Sequence, residues 1–189
     1  MNKLHFHLKI LLYISYFLTI NICISQHILI PMDADIQKNH LKSYGIAYWI
    51  LENNLEVDWL LNYRGGSFML DYLEEIENEC NYRGVSYEVL SNEETLSILN
   101  TIASPKNNYD IVKLEKAPKI AVYSPPDKQP WDDAVTLALT YAEIKYDVIF
   151  DDEVLDNKLD DYDWLHLHHE DFTGQYGKFY KNYHTASWY

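Results

Sequence analysis

The sequence predicts an α/β protein with three layers, in which helices flank a mostly parallel β-sheet. Short apolar segments rich in β-branched residues alternate with amphipathic segments along the chain, which is typical of right-handed βαβ units. The order strand, proline, any residue, aspartate, helix, strand occurs twice, around residues 30–33 and around 124–127. This repeat indicates two βαβ-type halves. The chain has 189 residues, 48% of them hydrophobic, enough for a core of ordinary domain size.

The first α/β unit is predicted to span residues 26–103. Strands are expected at 27–31, 56–62 and 84–90, where apolar and β-branched residues cluster. The first helix is indicated by apolar residues at a spacing of three and four, namely Leu41, Tyr44, Tyr48, Leu51 and Leu55. An acidic helix is expected at 71–81. A third helix opens with Ser91 and Glu94, because this pair forms a capping box, and runs to about Ile102.

Residues 104–117 are predicted to be a linker, since they begin with a run of serine, proline and asparagine. The second α/β unit is predicted to span 118–189, with strands at 119–123, 146–150 and 163–168. Pro130, followed by two aspartates, favours a helix start, because a fixed φ and negative charge both suit that position. We expect this unit to be truncated at its C-terminus.

The N-terminal residues 1–25 have the layout of a secretory signal peptide. Lys3 and Lys9 precede an uncharged apolar stretch at 10–20, and small residues follow at 23–25. The apolar stretch is too short for a permanent membrane span. The sequence therefore predicts cleavage near Ser25 and a location in the periplasm or cell envelope. Cleavage would leave Cys80 as the one cysteine, so no internal disulfide is expected.

The formal net charge is −14 at pH 7. Such a surface repels phosphate backbones, so nucleic acid is excluded as an expected partner. A small polar ligand remains the expected partner, and the sequence does not identify a protein partner.

Polar residues follow several predicted strands at the point where each strand ends. Ligands of open α/β sheets bind at the carboxyl ends of strands, so these residues are candidates for one shared site. The candidate ligand-binding residues are Asp33, Arg64, Gly65, Gly66 and Asp127, with Asp151 and Asp152 nearby. The candidate catalytic residues follow the last strand and are His168, His169, Glu170 and Asp171.

The last strand also suggests a divalent metal. His166 and His168 are two apart on a strand and so face one side, roughly 7 Å apart. Glu170 or Asp171 could complete a mixed nitrogen and oxygen ligand set. The favoured alternative is that His166 packs in the core while His168 and His169 form hydrogen bonds with loop backbone. No cofactor other than this metal is predicted.

Two further groups carry alternative roles. Glu170 and Asp171 could form an acid/base pair, or Asp171 could cap the next helix. The loop Arg64-Gly65-Gly66-Ser67 could hold a carboxylate or phosphate with its backbone amides, but it lacks the spacing of a P-loop, and a tight turn is the favoured interpretation.

Four segments resemble a family of exported bacterial proteins commonly labelled asparagine synthetase B. They are Asn39-His-Leu-Lys-Ser-Tyr-Gly-Ile-Ala-Tyr-Trp49, Val57-Asp-Trp-Leu-Leu-Asn-Tyr-Arg-Gly-Gly-Ser-Phe68, Gln129-Pro-Trp-Asp-Asp-Ala-Val135 and Trp164-Leu-His-Leu-His-His-Glu-Asp-Phe-Thr-Gly-Gln-Tyr176. The resemblance covers almost all of the chain after residue 25. It implies a class I glutamine amidotransferase-like fold related to the flavodoxin-like arrangement. Because such proteins are longer, it also implies that this chain is an N-terminal portion.

The label implies a glutamine-dependent asparagine synthetase, and its motifs are not found in this sequence. Such an enzyme needs an N-terminal catalytic cysteine and a Ser-Gly-Gly-x-Asp-Ser loop for ATP. Gly65 and Gly66 precede Ser67 without the flanking serine and aspartate, and Cys80 lacks the flanking glycines of a nucleophile elbow. We therefore expect ligand binding at the sheet edge without asparagine synthesis.

Two alternative functions remain open from the sequence. One is an amide or glycoside hydrolase that uses the His-His-Glu-Asp cluster at 168–171, with metal assistance as an option. The other is a non-catalytic interaction module of the cell envelope that uses the aromatic-rich C-terminal segment.

Overall fold

The structure is a computed structural model that describes residues 26–124, 134–167 and 175–188. These residues form an α/β arrangement with two sheets and flanking helices, compatible with three layers. The strands are β1 His27–Ile30, β2 Val57–Leu61, β3 Ser67–Asp71, β4 Glu88–Leu90, β5 Asp110–Leu114, β6 Ile120–Tyr123, β7 Asp147–Ile149 and β8 Trp164–Leu167. The helices are α1 His40–Glu52, α2 Glu74–Arg83, α3 Asn92–Ile102, α4 Ala134–Ala142, α5 Asp151–Leu155 and α6 Gln175–Tyr183, with 3-10 turns at Tyr63–Gly65 and Lys158–Asp161.

The first half contains a five-stranded sheet in the order β4-β1-β3-β2-β5, and every pair of neighbours is antiparallel. The prediction of a mostly parallel sheet is therefore wrong for this half. The cause is β3, which forms a hairpin with β2 and lies between β2 and β1. No strand is predicted at 67–71: Ser67 belongs to the predicted loop, and Asp71 is the first residue of the predicted helix. That helix, α2, begins at Glu74 instead.

Strand β5 lies within the segment predicted to be a linker. Its residues 110–114 pair along the whole length of β2, with Val112 opposite Trp59. The linker prediction is wrong for these five residues, because β5 completes an edge of the sheet. None of the five residues of β5 is fully buried, and Asp110 and Lys113 are exposed and charged, so the strand has a weak hydrophobic signal.

The described part of the second half contains a three-stranded sheet in the order β7-β6-β8. Both pairs of strands are parallel, so the prediction of parallel strands is confirmed here. Strand β6 is central, β7 lies on one side of it and β8 on the other. Val122 is paired with Val148 and His166, so these residues share one face of the sheet.

Helix α1 contacts both halves of the molecule. Ile46 and Ile50 on α1 belong to the core beneath the five-stranded sheet, whereas Tyr48 packs with Ile120 and Val122 of β6. Gly45 lies so close to α4 that an added Cβ would be 1.8 Å from the carbonyl oxygen of Ala142. The absence of a side chain at position 45 therefore permits the close approach of α1 to α4.

Local signals account for where the helices begin. Asn39 caps α1, because its side chain accepts a hydrogen bond from the backbone N–H of Lys42. The predicted capping box of α3 is confirmed, with Ser91 and Glu94 bonding each other's backbone N–H groups. Among the described residues, the helices are too short or too polar to cross a bilayer.

Candidate functional site

Two of the predicted ligand-binding residues, Asp33 and Arg64, are in direct contact. The Nε and Nη2 atoms of Arg64 each lie 2.8 Å from Oδ2 of Asp33. The Nη1 atom donates to Oε2 of Glu88 at 2.9 Å. The bond to Glu88 is the largest cause that raises the pKa of the Arg64 guanidinium above its ordinary value, and the bond to Asp33 adds to it. Arg64 therefore joins β4 to the turns that follow β1 and β2.

Glu88 is not among the predicted site residues, because it lies inside the predicted strand 84–90 instead of after the end of a strand. The strand β4 runs antiparallel to β1, so its first residue lies at the same edge as the end of β1. An antiparallel partner therefore supplies the second carboxylate. The signal that could have found it is an acidic residue at the start of a strand opposite an arginine loop.

The glycines of the loop have conformations that a side chain would disturb. Gly65 and Gly66 have φ angles of 80° and 92°. A Cβ at Gly65 would be 2.5 Å from the carbonyl oxygen of Met32. The Gly66 N–H donates to the Tyr63 carbonyl, so in this conformation it is taken up by the turn. The loop has the contacts of a tight turn that orients Arg64.

A second group of residues lies at the carboxyl edge of the three-stranded sheet. The last residues of β6 and β8, Tyr123 and Leu167, are paired in register, so the chain leaves both strands at the same edge. The Tyr123 hydroxyl donates to the carboxylate of Asp151, and its ring lies 5.1 Å from that of Phe150. The N–H of Ser124 donates to the Ile149 carbonyl at 3.1 Å. These bonds attach the ends of β6 and β7 to the start of α5.

Several predicted site residues lie outside the described residues. They are Asp127 and the run of candidate catalytic residues His168, His169, Glu170 and Asp171. The last described residues before these two segments belong to β6 and β8, which are neighbouring strands that end in register. The predicted site residues thus fall into two groups, with Asp33 and Arg64 at the five-stranded sheet and Asp151 at the three-stranded sheet.

His166, one of the two metal candidates, is half-buried on β8. Its ring lies 6.4 Å from that of Trp164 in an edge-to-face arrangement. Within residues 26–124, 134–167 and 175–188, no group of three or more histidine, cysteine or acidic side chains could hold a metal ion. His168 lies outside these ranges, so the metal site stays a prediction.

Cys80 is fully buried on α2, and burial raises the pKa of its thiol to about 12. Its thiolate is therefore scarce at neutral pH, and a thiolate is the form that acts as a nucleophile. Cys80 belongs to the core beneath the five-stranded sheet together with Ile76 and Val85. Its role in the structure is that of a small apolar side chain.

A charged cluster that the sequence did not predict joins three helices. Glu143, just after α4, accepts from Lys42 on α1 and lies 3.4 Å from the Nε of Arg83 on α2. Arg83 also bonds Glu79 at 2.9 Å. The hydrogen bond from Lys42 lowers the pKa of the Glu143 carboxyl. These contacts supplement the close approach of α1 and α4.

Comparisons of the chain with protein-family models, with curated proteins and with solved structures gave no significant match.

Proposed function

We propose that this chain is a binding domain for a small polar ligand, with its site at the carboxyl edge of β6 and β8. The observation that supports this most strongly is the parallel, in-register end of these two strands in the order β7-β6-β8. In doubly wound sheets, ligands bind where neighbouring strands lead to opposite sides of the sheet. The central strand β6 leads to α4 and on to β7, whereas β8 lies on the other side of β6. The edge between the ends of β6 and β8 is therefore the proposed site.

The chemistry of the edge favours a ligand with amide or ammonium groups. Asp151 is within this edge, and the sequence just after β8 adds two histidines, a glutamate and an aspartate at 168–171. Carboxylates accept hydrogen bonds from amide and ammonium donors, and imidazoles can accept or donate. We therefore propose a free amino acid or amino-acid amide as the ligand, on a glutamine amidotransferase-like second half.

The proposal includes export and excludes asparagine synthesis. Mass spectrometry of the exported protein should find a mature chain that begins near Gln26, and an intact Met1 would contradict export. Pure protein with aspartate, glutamine and ATP should form no asparagine, because the motifs that such an enzyme needs are not in the sequence. The buried Cys80 thiol supports this, since burial keeps it protonated.

Thermal unfolding with L-glutamine, L-asparagine and L-aspartate tests the binding proposal. A ligand that binds the folded chain alone raises the unfolding temperature with its concentration. We expect such a rise for at least one of the three, and its loss in Asp151→Asn and in His168→Ala. The matched control is Asp160→Asn, an exposed aspartate in the turn before β8, which should keep the rise.

The outcomes separate the alternatives. Retained binding in both edge variants would place the ligand elsewhere and contradict the proposal. If the wild type releases ammonia from glutamine and His168→Ala does not, the chain is an amide hydrolase and the binding-domain proposal is contradicted. No rise with any of the three amino acids would contradict the proposed ligand class.

A further inference from the structure

An apolar hollow lies at the end of the three-stranded sheet where β6 and β8 begin. It has a volume of about 230 Å³ and lies between α1, the five-stranded sheet and the first residues of β6 and β8. Ile120 and Trp164 line it, and these two residues are paired where β6 and β8 begin. The proposed polar site is at the other end of the same strands. The hollow is therefore a separate site.

The lining of this hollow is aromatic and aliphatic. Tyr44 and Ala47 of α1 face it, and Trp59, Phe68 and Leu114 line it from the five-stranded sheet. The ring of Phe68 lies 5.6 Å from that of Tyr44, edge to face, and 6.5 Å from that of Trp59, stacked. Such an arrangement presents flat ring surfaces to whatever occupies the space.

The polar atoms of two lining side chains are bonded elsewhere. The indole N–H of Trp59 donates to the carbonyl of Gly66 at 3.1 Å. The hydroxyl of Tyr48 lies 3.4 Å from the carbonyls of Pro118 and Lys145. These side chains therefore offer carbon surface to the hollow. A charged or strongly polar occupant would lose its hydration there without a compensating hydrogen bond.

Access to the hollow needs no unfolding. Two of its lining residues, Tyr44 and Trp164, have exposed fractions of 43% and 46%. Its volume exceeds that of the roughly 150 Å³ apolar cavity that binds benzene in an engineered protein. A molecule of one or two rings would fit the space and replace the dispersion contacts that an empty hollow lacks.

We propose that this hollow binds a neutral, planar aromatic molecule of one or two rings. Indole is the probe for the test, added to the full chain in thermal unfolding and isothermal calorimetry. Saturating indole should raise the unfolding temperature by several degrees. Benzoate, which adds a charge to one ring, should bind at least about tenfold more weakly than toluene, because its carboxylate would be desolvated.

Two substitutions that fill the hollow make the test specific. Ala47→Leu extends a buried side chain of α1 into it, and Leu114→Trp fills it from the edge strand β5. Both substitutions should abolish the response to indole. If Ala47→Leu does not fold because position 47 is tightly packed, Leu114→Trp still gives the test, since position 114 is half-buried on an edge strand. Leu155→Trp, at a residue of α5 with an exposed fraction of 77%, is the matched control and should keep the response.

Three results would overturn the proposal. One is the absence of an indole response at millimolar concentration in the wild type. Another is an unchanged response in a folded Leu114→Trp variant, which would place indole elsewhere. The third is equal affinity for benzoate and toluene, which would contradict a neutral ligand class. The indole test is independent of the proposed amino-acid site at the carboxyl edge of β6 and β8. Asp151→Asn, which alters that edge, should leave indole binding unchanged.

Discussion

The close approach of α1 and α4 at Gly45 gives a sharp prediction about how the two halves are joined. In most helices, glycine to alanine stabilises by up to about 1 kcal/mol. Here the new Cβ would be 1.8 Å from the Ala142 carbonyl oxygen, whereas an ordinary carbon contact is about 3.5 Å or more. The two helices would have to separate by roughly 1.5 Å, since backbone atoms cannot rotate away as a side-chain tip can.

The size of the effect follows from what such a separation would loosen. Tyr48 and Leu139 pack on Ile120 and Val122 of β6 in one buried cluster. Overpacking a well-packed core costs about 1–3 kcal/mol, and here the gain in helix propensity offsets up to about 1 kcal/mol. We therefore expect Gly45→Ala to lower the free energy of unfolding by about 1–2 kcal/mol.

Urea unfolding, followed by tryptophan fluorescence and by circular dichroism, measures this change. The matched control is Gly177→Ala in α6, where an added Cβ meets no atom within 4 Å. The control should leave the free energy of unfolding unchanged or slightly raised. A Gly45→Ala variant as stable as the wild type would refute the packing of α1 against α4 at this point.

Three further predictions concern charges and the thiol. Glu143→Gln should make the loss of stability in acid shallower below about pH 4.5. The pKa of Glu143 is lowered in the folded chain, so its charge contributes stability that is present above the ordinary pKa of 4.5 and is lost as pH falls through the folded-state pKa. Identical pH profiles from urea titrations of the two proteins would contradict this. Arg64→Lys should lower the free energy of unfolding by about 1–2 kcal/mol, because the single ammonium nitrogen of lysine does not reproduce the three guanidinium nitrogens that contact Asp33 and Glu88, and the pairs are partly exposed. Lys106→Arg, at an exposed site, is the control, and equal losses in both would count against the bridge. Cys80 should resist iodoacetamide at pH 7.5 in the folded chain and react after unfolding in urea, and rapid labelling of the folded chain would show that the thiol is accessible.

The second half was predictable from sequence where its hydrophobic signal is continuous. The predicted strand at 119–123 contains the apolar run 120–123, which forms the central strand β6, and its two parallel neighbours follow from the alternation of strands and helices. A buried strand must be apolar on both faces, so this pattern has few competing interpretations. The capping box of α3 was predictable for a similar reason, because it depends on two residues three positions apart.

The antiparallel arrangement of the first half was not predictable in the same way. Residues 67–70 are all buried, yet the Gly65-Gly66 turn before them has the same local signal whether it ends a strand or closes a hairpin. Strand β3 lies between β1 and β2, which run in the same direction, so without β3 the pattern of strand, helix and strand predicts a parallel pair. The half-exposed β5 was missed because the strand depends on pairing with β2, a long-range contact that local sequence does not contain.

For the candidate site, the sequence predicts Asp33 and Arg64 as site residues, but it does not predict that Arg64 bonds Asp33 and Glu88. Their contact depends on the ends of β1 and β2 lying at one edge, which holds in either sheet arrangement. Glu88 depends on β4 running antiparallel to β1, which the predicted parallel sheet does not allow. The error in sheet direction therefore hid the second carboxylate.

The most direct test of the proposed site is a titration of isotope-labelled protein with L-glutamine, followed through backbone amide chemical shifts. If the ligand binds where β6 and β8 end, the amides of Tyr123, Ser124 and Leu167 should shift and saturate together, while those of β1 and β4 stay in place. Shifts confined to the Arg64 loop, or spread without a common saturation point, would contradict binding at this edge.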